Sequence, residues 1–159
     1  MAAEKGYAFK TLNAVIEVNE EQKQRMVQKI EERAGALEGK TIGVLGLAFK
    51  PNTNDIRESS AVTIIQTLLK KGARVRAYDP AAMEEARVLV PGVEFGKDAY
   101  DTAQGCNALV LATEWNQFRR LDLQQIKALM KTPIFIDLRN VYDPDQMKRL
   151  GFNYCGVGR

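Results

Sequence analysis

A chain of 159 residues with 45% hydrophobic and 27% charged residues suits one globular domain with a full core and an added helix, which excludes disorder. A net charge of +3 spread among acids, without a basic stripe, argues against nucleic acid and for a small anionic ligand; the lack of any histidine and the presence of only two cysteines rule out imidazole catalysis, a histidine-ligated zinc and a disulfide framework. No apolar run nears the roughly 20 residues of a membrane span, and the opening MAAEKGYAFK has no signal-peptide core, so a soluble cytoplasmic chain with no membrane partner is expected.

Residues 7–37 read as one long helix. Phe9, Leu12, Val15 and Ile16 form one apolar stripe and Val27, Ile30, Ala34 and Leu37 a second, with polar Asn19, Gln22 and Lys23 between them. Roughly thirty residues rising about 1.5 Å each make a rod of about 45 Å, long enough to join two domains or to lie against a partner copy. A stripe left bare on such a rod is expected to bury itself in a homodimer. Gly35 and Gly39 close the segment, which divides the chain into a long linker and dimerisation helix over residues 1–38 and a globular domain over residues 39–159.

From Lys40 the period changes. The run Thr41-Ile42-Gly43-Val44-Leu45-Gly46 is continuous and apolar, as in a strand buried on both faces of a parallel sheet. A polar loop follows, and Ser59 or Ser60 is placed to cap a helix carrying Val62, Ile65, Leu68 and Leu69 that ends at Gly72. The alternation then repeats: strand 73–78, helix 83–89, brief strand 93–95, helix 99–104, strand 107–112, helix 123–130, strand 133–137, a helix from Asp143 or Pro144 to Leu150, and edge strand 152–157. Short α and β units in alternation predict an α/β fold, an open and mostly parallel sheet with helices on both faces, preceded by the long helix. Such sheets bind ligands beyond the carboxyl ends of their strands, which directs attention to residues 49–57, Asp79, residues 114–118 and residues 138–140.

Gly43 and Gly46 stand where a dinucleotide fingerprint would begin, but Leu47-Ala48-Phe49-Lys50-Pro51 follows, so the remaining glycines are missing. Asp79 ends the second strand where a ribose-binding acid could stand, yet farther from Gly46 than the usual roughly 20 residues. The loop instead offers Phe49-Lys50 and Arg57 ahead of a helix start, a pairing of mobile charge and fixed N–H groups that suits phosphate oxygens; a solvated polar loop is the competing account. Arg139 either grips a phosphate in bidentate fashion or pairs with Asp137 or Asp143. Trp115 reads as packing, the methionines as core fillers, and Cys106 and Cys155 as buried free thiols with no basic neighbour to activate them. Neither a catalytic residue nor a metal site is expected.

In order along the chain, Val18-Asn19-x-x-Gln22, Gly43-x-x-Gly46-Leu47-Ala48-Phe49-Lys50-Pro51-Asn52-Thr53-x-Asp55-x-Arg57-Glu58-Ser59, Tyr78-Asp79-Pro80, Thr113-Glu114-Trp115 and Asp137-x-Arg139-Asn140 resemble the UDP-glucose/GDP-mannose dehydrogenase family. The resemblance covers nearly the whole chain from the long helix onward. It implies a Rossmann-like domain that binds a UDP-sugar. Phe49 and Lys50 would line that site, Arg139 would contact the same ligand, and Arg57 would reach toward NAD bound mainly by another domain.

The family's catalytic cysteine segment, the Lys-Asp pair after it and the glycine fingerprint of its N-terminal NAD domain have no counterpart in this sequence. The resemblance therefore implies the central helix and C-terminal nucleotide-sugar-binding part of an oxidoreductase, inactive by itself. In complete family members it implies two successive NAD-dependent oxidations of the sugar C6 alcohol to a carboxylate, through a thiohemiacetal and a thioester on that cysteine. The wording of residues 49–59 and 137–140 favours UDP-glucose as substrate over GDP-mannose or UDP-N-acetylmannosamine. Two other accounts stand beside this one: a stand-alone nucleotide-sugar-binding or dimerisation module, and an ordinary NAD-binding domain.

Overall fold

The computed structural model describes residues 9–158; the expected helix start at Tyr7 lies outside the described residues. The elements are α1 (Lys10–Ala34), β1 (Thr41–Leu45), α2 (Ser60–Lys70), β2 (Arg74–Tyr78), α3 (Met83–Leu89), β3 (Glu94–Phe95), α4 (Ala99–Ala103), β4 (Ala108–Leu111), α5 (Leu123–Leu129), β5 (Ile134–Asp137), α6 (Pro144–Arg149) and β6 (Asn153–Gly156). Among the described residues a 3₁₀ turn at Phe118–Arg120 is the one addition, and a three-residue turn leaves no periodic signal to read.

The six strands lie in the order β3-β2-β1-β4-β5-β6, and every neighbouring pair is parallel. The sheet is thus wholly parallel, and the expected edge strand at the C-terminal end is β6. β4 and β5 are buried at every residue and β1 at all but its first, whereas β2 alternates between buried and more open positions. Uninterrupted apolar runs belong to strands covered on both sides.

Side chains alternate between two cores. Ile42, Val44, Val110, Ile134 and Ile136 point to the face covered by α1, α2 and α3, where they meet Val27, Ile30, Ile65, Leu68 and Ala86. Leu45, Leu109, Leu111 and Phe135 point to the opposite face with Ala103, Ile126 and Met147 of α4, α5 and α6. Phe135 centres an aromatic group there, with Tyr142 and Phe152 set edge-on at 5.4 and 5.8 Å, the arrangement that ring quadrupoles favour. Truncating a fully buried residue such as Ile65 to alanine is worth about 2 to 5 kcal/mol.

α1 ends at Ala34, short of the expected Leu37, where Gly35 takes a positive φ of 74°, and the two apolar stripes have different fates. Val27, Ile30, Ala34 and Leu37 are buried in the core, whereas Phe9, Leu12, Val15 and Ile16 are 50–54% exposed. The second half of α1 lies beside α2 over β4 and β5, covering the part of that face that α2 and α3 leave open. Lys29 donates to the Gly156 carbonyl at 2.6 Å and Lys71 pairs with Glu31 at 3.0 Å, tying the helix down at β6 and at the end of α2.

Candidate functional site

The connection leaving β1 enters α2 on one face, and the connection leaving β4 enters α5 on the other. The loops after these adjacent strands therefore part, which opens a crevice beyond their carboxyl ends.

Gly46 carries the chain out of β1 at φ 95°, and a Cβ there would stand 2.5 Å from Thr113 Cβ and 2.6 Å from Thr113 N. Both the backbone and the available space demand glycine. The next two residues are held at every backbone polar group. Leu47 N and Ala48 N donate to Asp79 Oδ2 at 2.7 and 3.1 Å, Ser59 Oγ donates to the Leu47 carbonyl at 2.6 Å, and Thr113 Oγ1 donates to the Ala48 carbonyl at 2.7 Å.

Ser59 is thus the N-cap residue of α2 by position only: its hydroxyl serves the clamp and makes no cap hydrogen bond. Asp98, Asp122 and Asp143 do cap α4, α5 and α6 through their side chains.

Asp79 has no exposed surface. Ala81 N and Ala82 N donate to its Oδ1 at 2.9 Å each, and Trp115 Nε1 adds to Oδ2 at 3.1 Å. With the two amides of the clamp, these donors occupy all of the roughly four lone-pair sites of a carboxylate. Nothing remains for a ribose hydroxyl, so Asp79 organises the loops around it. The hydrogen bond to Asp79 also explains Trp115, which packs between the two cores.

Beyond the clamp the chain becomes exposed. Phe49 N donates to the Asp55 carbonyl at 2.8 Å, closing a loop on which the Phe49 side chain is 57% exposed and Lys50 is exposed. Arg57 grips the Asp55 carboxylate from Nε and Nη2 at 3.0 and 2.8 Å. That guanidinium, with a smaller contribution from Lys50, holds the Asp55 carboxyl down at about 2. Asn52 and Glu58 adopt left-handed backbone, φ 63° and 58°, conformations that cost non-glycine residues energy and recur at binding loops.

A second buried aspartate shapes the other wall. Asp137, at the end of β5, accepts from Arg139 N at 2.9 Å, Val141 N at 2.8 Å, Tyr142 N at 3.0 Å and the Tyr154 hydroxyl at 3.0 Å. It fixes the backbone of Arg139, while the guanidinium pairs with Glu114: Nη2 donates to Oε1 at 2.8 Å and Nε to Oε2. Arg139 holds the Glu114 carboxyl below the usual carboxylate range. The side-chain partner of Arg139 is therefore neither Asp137 nor Asp143. Asn140, at φ 53°, exchanges two hydrogen bonds with the Val157 backbone at 3.0 and 3.1 Å.

Between these walls and α1 lies a cleft of about 400 Å³. Phe49, Arg139, the first turn of α2 at Ser60 and Ala61, and Asn19 and Lys23 of α1 face it. Two of the four sequence-derived candidates, Phe49 and Arg139, thus meet across one space; Lys50 and Arg57 are not on its lining. Lys23, paired with Glu20 at 2.6 Å and only 12% exposed along its side chain, was read in the sequence only as part of the polar divider between two stripes. Its spacing from Asn19 and Met26, i+4 and i−3, does put all three on one helix face.

The two thiols stand apart from this cleft. Cys106 is fully buried and Cys155 is 3% exposed, and burial pushes the Cys106 thiol up to about 11. Among the described residues no cluster of acidic or cysteine side chains is arranged to hold a metal ion, and no helix is long and apolar enough to cross a membrane.

Comparison with known proteins gives a consistent result. Residues 43–144 match the family model described as UDP-glucose/GDP-mannose dehydrogenase family, UDP binding domain. The UDP-glucose 6-dehydrogenase of Rhizobium meliloti (strain 1021) is 45% identical over 149 residues, covering 93% of this chain and 34% of that protein. The UDP-glucose 6-dehydrogenase TuaD of Bacillus subtilis (strain 168) is 42% identical over all of this chain and 35% of its own length. Among solved structures, a UDP-glucose dehydrogenase from the archaeon Pyrobaculum islandicum superposes with a TM-score of 0.74 at 39% identity, covering 86% of this chain and 30% of that one. The chain spans about a third of the length of the curated relatives it matches.

Proposed function

The chain belongs to the UDP-glucose/GDP-mannose dehydrogenase family, and we propose that it is the nucleotide-sugar-binding part of a UDP-glucose 6-dehydrogenase. The observation that carries this reading is the cleft beyond the ends of β1, β4 and β5, where Phe49 and Arg139 face the first turn of α2. That turn presents backbone N–H groups with no side-chain cap, and a cation opposite uncapped N–H groups is suited to phosphate oxygens. Phe49 offers a flat apolar surface at the same mouth, and Lys50 adds mobile charge just outside it.

In this reading residues 39–159 bind the UDP-sugar, and residues 1–38 form a linker and homodimerisation helix in a cytoplasmic enzyme. NAD is held mainly by another part of the enzyme and met from this side by Arg57, whose side chain is 87% exposed. The saturated Asp79 and the occupied space at Gly46 favour this division of labour over NAD binding by the domain's own glycine turn. The complete enzyme oxidises UDP-glucose to UDP-glucuronate with two NAD, and no catalytic residue of that reaction is assigned to the described residues. UDP-glucose is preferred over GDP-mannose because relatives 45% and 42% identical to this chain are named for it.

Calorimetric titration with UDP-glucose, GDP-mannose and NAD tests the reading. Saturable binding of UDP-glucose, in preference to the other two, is expected. Equal affinity for GDP-mannose, or tighter binding of NAD than of UDP-glucose, would sink it.

A further inference from the structure

The geometry points to Glu114 as the positioning residue of Arg139: it takes one edge of the guanidinium from behind, so that the remaining donors are presented to the ligand in the cleft. This rests on the reading of Arg139 as a contact of the nucleotide sugar.

Arg139 lines the cleft and Glu114 is not on its lining; in the proposal the carboxylate holds the guanidinium edge turned away from the ligand. Glu114 takes Nε and Nη2, and a guanidinium has five N–H donors in a fixed fork. Nη1 takes no part in the pair, and both of its hydrogens are left to a ligand acceptor.

Both ends of the pair are pinned before it forms. On one side Glu114 stands between Thr113, whose hydroxyl binds the Ala48 carbonyl, and Trp115, whose indole binds Asp79. On the other, the Arg139 amide is held by Asp137. An exposed ion pair contributes little when two flexible side chains must be ordered to make it. Here the backbone is already ordered by two buried aspartates, so the carboxylate chiefly selects one orientation of the arginine, and pre-organisation of this kind improves affinity by removing an ordering cost from the binding step.

An opposing account is that Glu114 neutralises Arg139 and competes with an anionic ligand. The two accounts predict opposite signs. The test compares UDP affinity by calorimetry for the wild-type chain, Glu114→Gln, Arg139→Ala and the double variant, with thermal melting alongside. Positioning predicts about tenfold weaker UDP binding for Glu114→Gln, the scale of one charge-assisted hydrogen bond, and no further loss when Glu114→Gln is added to Arg139→Ala. Glu114→Asp, whose shorter carboxylate spans the fork poorly, should fall between wild type and Glu114→Gln.

Unchanged or tighter UDP binding by Glu114→Gln overturns the proposal, as do independent, additive losses in the double variant. A wild-type chain that binds no UDP would instead count against the reading of the site. In that case the Arg139 Nε–Hε resonance decides the role of Glu114. A slowly exchanging signal that is lost in Glu114→Gln upholds positioning, and one that is unaffected overturns it.

Discussion

Trp115 Nε1 donates to Asp79 Oδ2 at 3.1 Å, joining the loop after β4 to the end of β2 across the intervening β1. The same oxygen holds the amides of Leu47 and Ala48, so one carboxylate fixes three loops at the carboxyl edge of the sheet. Asp79→Ala would leave several buried donors unsatisfied, which is expected to destabilise the chain by about 3 kcal/mol or more. Trp115→Phe removes a single donor and should cost about 1 kcal/mol. Urea denaturation followed by circular dichroism checks both values; a loss below 1 kcal/mol for Asp79→Ala would refute the clamp.

Gly46 supplies a second stability test. Alanine at this position would carry a Cβ 2.5 Å from Thr113 Cβ on a backbone at φ 95°. Clash and backbone strain together should amount to about 2 to 4 kcal/mol. Gly92 is a matched control, because it has a similar positive φ of 109° and open space around its Cβ direction, so Gly92→Ala should cost only the backbone part, about 1 kcal/mol. Equal melting temperatures for the two variants would mean that the approach of Thr113 is not what demands glycine at Gly46.

Much of this architecture was legible in the chain itself, for a physical reason. Thr41-Ile42-Gly43-Val44-Leu45 and Ile134-Phe135-Ile136 lie under helices on both sides, and such strands are apolar without interruption. The division of α1 into two stripes was readable because helical periodicity records which face is apolar, although it does not record which stripe finds a core. The clamp was not readable. Asp79 draws its donors from residues 47, 48, 81, 82 and 115, and these converge only once the strand order is known. Ser59 has the chemistry of a cap and the position of one, yet a carbonyl from twelve residues earlier claims its hydroxyl. Glu114 and Arg139 are 25 residues apart on loops that parallel strands β4 and β5 bring side by side, whereas sequence proximity suggested Asp137 or Asp143.

The exposed loop separates binding from stability. The Phe49 and Lys50 side chains lie largely in solvent, so Phe49→Ala and Lys50→Ala should leave the melting temperature nearly unchanged. Each is expected to weaken UDP-glucose binding about fivefold to tenfold, on the order of 1 kcal/mol. Arg57→Ala, off the cleft and committed to Asp55, should leave UDP-glucose affinity within about twofold. Titration calorimetry on the three variants is the measurement, and the largest loss at Arg57 would contradict the assignment.

Cys106 gives a pH signature. Burial raises its thiol from 9.0 to about 11 in the folded chain, whereas the unfolded chain ionises near the ordinary value. The unfolded state therefore binds fewer protons between these pH values, and stability falls as pH rises from about 9, levelling off above about 11. A shift of roughly two units corresponds to about 2 to 3 kcal/mol. Cys106→Ser does not titrate there, so the difference in urea stability between wild type and Cys106→Ser should shrink steadily over that range. A difference independent of pH would show that the thiol ionises as readily folded as unfolded. The same burial predicts that native Cys106 resists thiol reagents at neutral pH.

The outer stripe of α1 is where assembly should be tested. Leu12, Val15 and Ile16 are 51%, 52% and 54% exposed and lie within about one helical turn, so they form an apolar strip largely open to solvent, with Ile16 at the border of the cleft. A strip of this kind is expected to meet its own copy across a two-fold axis, because an isologous contact covers both stripes at once. Leu12→Glu with Val15→Glu would put like charges face to face across that contact while leaving Ile16, which borders the cleft, unchanged. The double variant should therefore be monomeric in light scattering at a concentration where the wild-type chain is dimeric, with the same urea midpoint for the globular part. A wild-type chain that stays monomeric at high concentration would remove α1 as a self-association surface.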